Sequence, residues 1–188
     1  MLYSIALFLH VLGALGLFIA LGVEWTSLRN LPRATTVGEA RGWLGLFLLL
    51  RRIYPWSFVT ILLTGIYMMA VSWGGAPWIA LGLLAMLAIP ALGAGMTARR
   101  VREIGPTLGE ADQLDISLRT RLTDPILRLS LRLRIGLAVG IVFLMTVKPG
   151  WIGSFVAIVV FTGFGALASL APWKRAEPTR PALPEEAP

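Results

Sequence analysis

Five mostly apolar runs, each close to the length that crosses a bilayer as helix, decide what this chain can fold into. A hydrocarbon core of about 30 Å takes roughly 20 helical residues. The runs cover about 2–23, 53–73, 77–97, 130–147 and 151–171. In lipid every backbone N–H and C=O must be satisfied inside the chain, and a helix does this within one segment. The expected fold is therefore all-α: a polytopic membrane helix bundle of five transmembrane helices, filling residues 1–175. Composition agrees, with 56% hydrophobic and only 14% charged residues in 188, where a soluble domain carries about 25% charged. The first run lacks a basic segment before it and a small-residue cleavage site after it, so it reads as a span and not as a secretory signal.

Local signals set the boundaries. Pro77 sits at a helix-start position, Pro90 interrupts the third run and predicts a kink, and Pro172 closes the fifth. Thr123 and Asp124 before Pro125 mark a helix start. Residues 43–50, WLGLFLLL, are apolar but too short to span; they form either an interfacial helix or a cytoplasmic extension of the second helix. Residues 98–124 read as a cytoplasmic loop, polar from 101 on with Gly105-Pro106 and with Asp112, Asp115 and Asp124, and holding one short amphipathic helix around 112–122. Residues 176–188, rich in proline, read as a disordered cytoplasmic tail.

Charge gives orientation. The net charge is +7 and the pI about 11.0, yet the cations lie between the apolar runs, where they suit a membrane surface rather than nucleic acid. Arg29, Arg33, Arg41, Arg51 and Arg52 follow the first span. Arg99, Arg100, Arg102, Arg119 and Arg121 follow the third, with Arg128, Arg132 and Arg134 opening the fourth. Lys174, Arg175 and Arg180 follow the fifth. The alternate connections hold only GGAP and Lys148. The expected topology is N-out and C-in, multi-pass, in a bacterial inner (cytoplasmic) membrane whose anionic lipids meet the arginine-rich face. Tyr3, Trp73, Trp78 and Trp151 mark the outer interface, and Trp25, Trp43, Trp56 and Trp173 the inner one. The uncharged part of the fourth span, 135–147, covers only about 20 Å; Arg132 and Arg134 must snorkel or meet an anionic partner.

Chemistry-bearing residues are few. There is no cysteine, and His10 is the single histidine. At about 100° per residue, Ala6, Gly13, Ala14 and Leu17 lie within about 60° of His10, and Gly16 and Ala20 extend this small-residue face. Small faces are where membrane helices approach closely, so His10 points into the bundle. It is a hydrogen-bond partner for Ser57, Thr60, Thr64 or Tyr67, a haem or metal ligand, or a proton or substrate contact. One histidine without cysteine cannot build a zinc site; a copper site would have to recruit Met68, Met69, Met86 or Met96. Haem needs only one axial histidine, and its propionates would need cations such as Arg52, Arg132 or Arg134. Gly136 and Gly140 form a close-packing G-x-x-x-G pair, for self-association or for contact within the chain. Glu24, at the cytoplasmic end of the first helix, is expected to pair with Arg29 or Arg52. No span core carries a carboxylate, which counts against ion-coupled transport.

Leu9, His10, Gly13 and Gly16 in the first span, followed by Pro55, Thr64 and Gly65 in the second, resemble the copper-resistance-D-like group of small bacterial membrane proteins. That group includes uncharacterised integral membrane proteins and the membrane protoporphyrinogen oxidase. The resemblance covers about residues 1–100. It implies a bundle of four or five helices with His10 as a haem or redox ligand. The oxidase family also uses a lysine within a helix, whereas both lysines here lie outside the spans; the uncharacterised branch fits most closely. Three functions follow as expectations: a membrane protein holding haem b or a redox partner at His10; an accessory or scaffold subunit, with a membrane-protein partner or as a homo-oligomer, in which His10 ties helices together; and a carrier of a small solute near Pro90.

Overall fold

The structure, a computed structural model, describes residues 1–170, and for Leu50 and Arg51 the backbone alone. The tail at 176–188, with Pro172, Trp173, Lys174, Arg175 and Arg180, lies outside the described residues. The chain is an all-α bundle with five helical stretches long and apolar enough to cross a membrane.

Helix α1 runs from Leu2 to Asn30 and ends in a tight turn at Leu31–Arg33, where Pro32 stops it. Helix α2, Val37–Met68, starts on a capping arrangement: the Glu39 amide donates to Thr36 Oγ1 (3.2 Å), while the Glu39 carboxylate accepts from the Thr35 amide (2.8 Å). Its 32 residues reach about 48 Å, well beyond one bilayer core. Residues 43–50 belong to this helix, burying Leu44 and Phe47. The wider turns of a π-helix continue it over Met69–Trp73.

Helix α3, Pro77–Leu92, carries Pro90 inside it and passes through π-type turns at Gly93–Ala98 into α4, Arg99–Glu110. The expected loop at 98–124 is thus mostly helical, and Gly105-Pro106 does not break it. The physical reason is the stripe Val101, Ile104 and Leu108, all buried. Burying three such side chains gains about 1.5–3 kcal/mol each, against roughly 3 kcal/mol for an internal proline. Arg41 closes the C-terminal end of α4, donating to the carbonyls of Leu108 (3.1 Å), Gly109 (2.8 Å) and Ala111 (3.0 Å). Helix α5, Ile116–Leu122, is the expected amphipathic helix in shorter form, capped by Asp115. Helix α6, Pro125–Val147, starts where Asp124 accepts from the Ile126 amide (2.8 Å). Helix α7 spans Trp151–Leu170.

Two helix groups result. In one, α1 packs on α2. A Cβ at Gly13 would stand 2.9 Å from Ile61 Cγ1, and one at Gly16 would overlap Ser57 Oγ. In the other, α6 packs on α7 and α3. A Cβ at Gly136 would overlap the Phe161 carbonyl, and one at Gly165 the Arg132 carbonyl; at Gly140 it would stand 3.1 Å from Ile158 Cδ1. Gly136 and Gly140 therefore serve contact within the chain. The groups join at the arginine-rich end, where α1 meets α6, α4 meets α2, and α5 meets the turn after α1. Towards the opposite end, α2 and α3 stand apart and a cavity lies between them.

Candidate functional site

The cavity, about 260 Å³, has walls from α1, α2, α3 and α6. His10 is half-buried in its lining. The imidazole Nδ1 lies 3.1 Å from the Ile61 carbonyl and 3.0 Å from Thr64 Oγ1. A carbonyl only accepts, so Nδ1 carries the proton. Thr64 spends its own hydroxyl proton on the Thr60 carbonyl at 2.6 Å, which leaves its oxygen free to accept from the ring. The neutral tautomer is thereby set, and Nε2 holds the lone pair. Nε2 has no hydrogen-bond partner among the described residues.

Gly65 makes room for this ring: a Cβ there would stand 3.3 Å from His10 Cε1. Gly13 and Gly16 bring α2 close enough for the bond to form. So Gly13, Gly16, Thr64 and Gly65 all act around His10. Pro55 is exposed on α2 and takes no part, and Pro90 is absent from the cavity lining.

The far end of the cavity is aromatic and cationic. Trp73 and Trp78 meet edge to face, with centroids 5.5 Å apart. Trp73 Nε1–H donates to Tyr3 Oη at 3.2 Å. Lys148 Nζ lies 3.9 Å from the Trp73 ring centroid and 5.9 Å from that of Trp78. The backbone of Lys148 is left-handed, at φ 53 and ψ 51, the only positive φ among the described non-glycine residues. Met68, Met69, Met86 and Met145 add thioethers to the walls, while Met96 lies elsewhere. No group of three or more His, Asp or Glu that could hold a metal occurs among the described residues.

Arg52, Arg132 and Arg134 do not line the cavity, so they are not brought to His10. Arg52 is exposed on α2. Arg134 is buried in a second polar cluster, near the arginine-rich end. Its guanidinium holds Glu24 in a two-pronged ion pair, with one prong, Nη1 to Oε2, at 2.9 Å. The residues are 4% and 6% exposed. This corrects the expected pairing of Glu24 with Arg29 or Arg52. Helix α1 continues past residue 23, which carries Glu24 into the bundle. Arg134 also donates to Thr97 Oγ1 (3.2 Å) and the Ser130 carbonyl (3.3 Å), and Thr97 donates to Ser130 Oγ (2.8 Å). Gly93 leaves space, since a Cβ there would stand 3.4 Å from Arg134 Nη1. Arg132 is buried, with its guanidinium 5.2 Å from the Trp25 ring centroid.

No family model, no curated protein and no solved structure matches this chain. What the cavity takes must be argued from its walls. Those walls offer an apolar interior, one unprotonated imidazole nitrogen at one end and one ammonium at the other. Sequence reasoning singled out His10, and gave Lys148 only as the one outer cation that haem propionates turned outward would meet, without sign that it stands with Trp73 and Trp78. Tyr3, Trp73 and Trp78 were legible as interface residues, without sign that they share a site.

Proposed function

We propose that this chain is a multi-pass protein of a bacterial inner membrane, N-out and C-in, that holds haem b or a comparable redox partner at His10. The reading is carried by one observation: the Ile61 carbonyl and Thr64 pin Nδ1–H, leaving Nε2 as a lone-pair donor beside an apolar cavity. A hydrogen bond from the far ring nitrogen to a backbone carbonyl is how proteins orient a ligating histidine. Haem is satisfied by one axial histidine, with methionine or nothing opposite. The cavity sits near the small end of ligand sites, about 300–1,000 Å³. The likeness of the first two spans to copper-resistance-D-like proteins belongs to the same reading.

The test is an absorption spectrum with two variants. Wild type, purified after expression with a haem precursor, should show a Soret band. His10→Ala should lose both the band and some thermal stability. His10→Asn places an amide N–H near Nδ1 but nothing at Nε2, so it should keep the stability and lose the band. A colourless wild type overturns the proposal.

The scaffold reading draws on the same Nδ1 bonds, which tie α1 to α2. It predicts that His10→Ala costs about 1 kcal/mol, the usual scale of an interhelical bond in lipid, and that no variant changes colour. The carrier reading was tied to Pro90, which lies away from the cavity; solute flux in liposomes is its measurement.

A further inference from the structure

Lys148 is the residue whose placement packing does not explain. It caps α6 in the left-handed conformation, where glycine or asparagine is the usual occupant because a Cβ there is unfavourable. A strained residue persists where its surroundings hold it, and such residues cluster at ligand sites. Here the surroundings are the Trp73 and Trp78 rings, which hold the ammonium over their faces. The same three side chains line the cavity, as does Tyr3. Tyr3 Oη already accepts from Trp73 Nε1–H, and its own proton has no acceptor among the described residues. One end of the cavity therefore presents an ammonium and a phenolic O–H, both donors and one of them charged. The space between them and His10 is apolar.

We propose that the cavity recognises an amphiphile with one carboxylate, held by Lys148 Nζ and Tyr3 O–H, and a single compact apolar body lying between Trp73, Met86 and His10. A carboxylate paired with an ammonium gains a charge-assisted hydrogen bond. One ammonium balances one negative charge. About 260 Å³ suits a planar ring system or part of one chain, not a two-chain phospholipid. The proposal rests on the cavity being a ligand site, as the haem reading does, but it does not need iron.

The experiment uses the full-length protein in neutral detergent, with dibrominated octanoate as probe. Bromine quenches tryptophan fluorescence at contact, so in a background with Trp25, Trp43, Trp56, Trp151 and Trp173 replaced by Phe the two remaining residues, Trp73 and Trp78, report occupancy. Saturable quenching by the acid should exceed that by its methyl ester about tenfold in affinity, the scale of one charge-assisted bond. Lys148→Gly relieves the backbone and removes the cation, so it should stay folded, lose that tenfold for the acid and leave the ester unchanged. Lys148→Arg should keep the preference. Equal binding of acid and ester by wild type, an unaltered preference in Lys148→Gly, or equal quenching by brominated phosphatidylglycerol each overturns the proposal. Acid selectivity without a Soret band sinks the haem reading alone. A Soret band with no acid selectivity sinks this one alone.

Discussion

Arg134 stands where a guanidinium has no water to fall back on. Glu24, Thr97 and the Ser130 carbonyl accept its hydrogen bonds from three helical segments. Removing one member of such a pair leaves an uncompensated charge, at a cost of about 3–5 kcal/mol, whereas replacing both with apolar groups of similar volume is near neutral. Glu24→Gln should therefore lower the melting temperature in detergent sharply. Glu24→Leu combined with Arg134→Met should recover most of the loss. If the double variant is as unstable as the single one, the pair is not what holds α1 to α6. The two residues were visible in the sequence as charges at the edges of apolar runs, but their pairing was not. Sequence shows neighbours along the chain, which favoured Arg29, while the bundle brings Arg134 to Glu24 from 110 residues away.

At the scale of elements, α6 and α7 meet along glycine. Gly136 faces the Phe161 carbonyl and Gly165 faces the Arg132 carbonyl, both backbone atoms that cannot rotate aside. Gly136→Ala or Gly165→Ala must push the helices apart and should cost about 1–3 kcal/mol. Gly163 on the same helix has open space around it. Gly163→Ala should be neutral or slightly stabilising, because alanine favours helix by about 1 kcal/mol over glycine. Thermal unfolding of the three variants in one detergent separates them; equal effects would mean that the seam is not the contact that matters. The glycine spacing in α6 was legible, since Gly136 and Gly140 fall on one face. Its partner was not, because nothing along the chain tells which small residue of α7, Gly163 or Gly165, faces α6. The helix at Arg99–Glu110 was hidden for the opposite reason: Gly105-Pro106 is a strong local breaker, and only burial of Val101, Ile104 and Leu108 outweighs it.

For the whole molecule, the five crossings were legible because lipid imposes one length and one backbone solution on each. The cavity was not, because it belongs to no element. It is the space left between the α1–α2 group and the α3–α6–α7 group, which meet through Glu24 and Arg134 at one end and through Trp73, Trp78 and Lys148 at the other. Topology gives the prediction at this scale. A reporter active only in the periplasm should work when inserted at Gly74-Gly75 and stay silent when fused after the last residue. The reverse pattern would invert the orientation, and with it the side from which the cavity is reached.

The Glu24–Arg134 pair also imposes an order in time. Glu24 leaves the ribosome with the first helix, and Arg134 comes only with the sixth. Until then the first helix carries an acid without the guanidinium that holds it in the folded bundle. The second helix can already dock on the first through Gly13 and Gly16. The element that closes the bundle is therefore α6, which brings Arg134 to Glu24 and at the same time packs on α3 and α7, so a chain interrupted before α6 lacks both contacts.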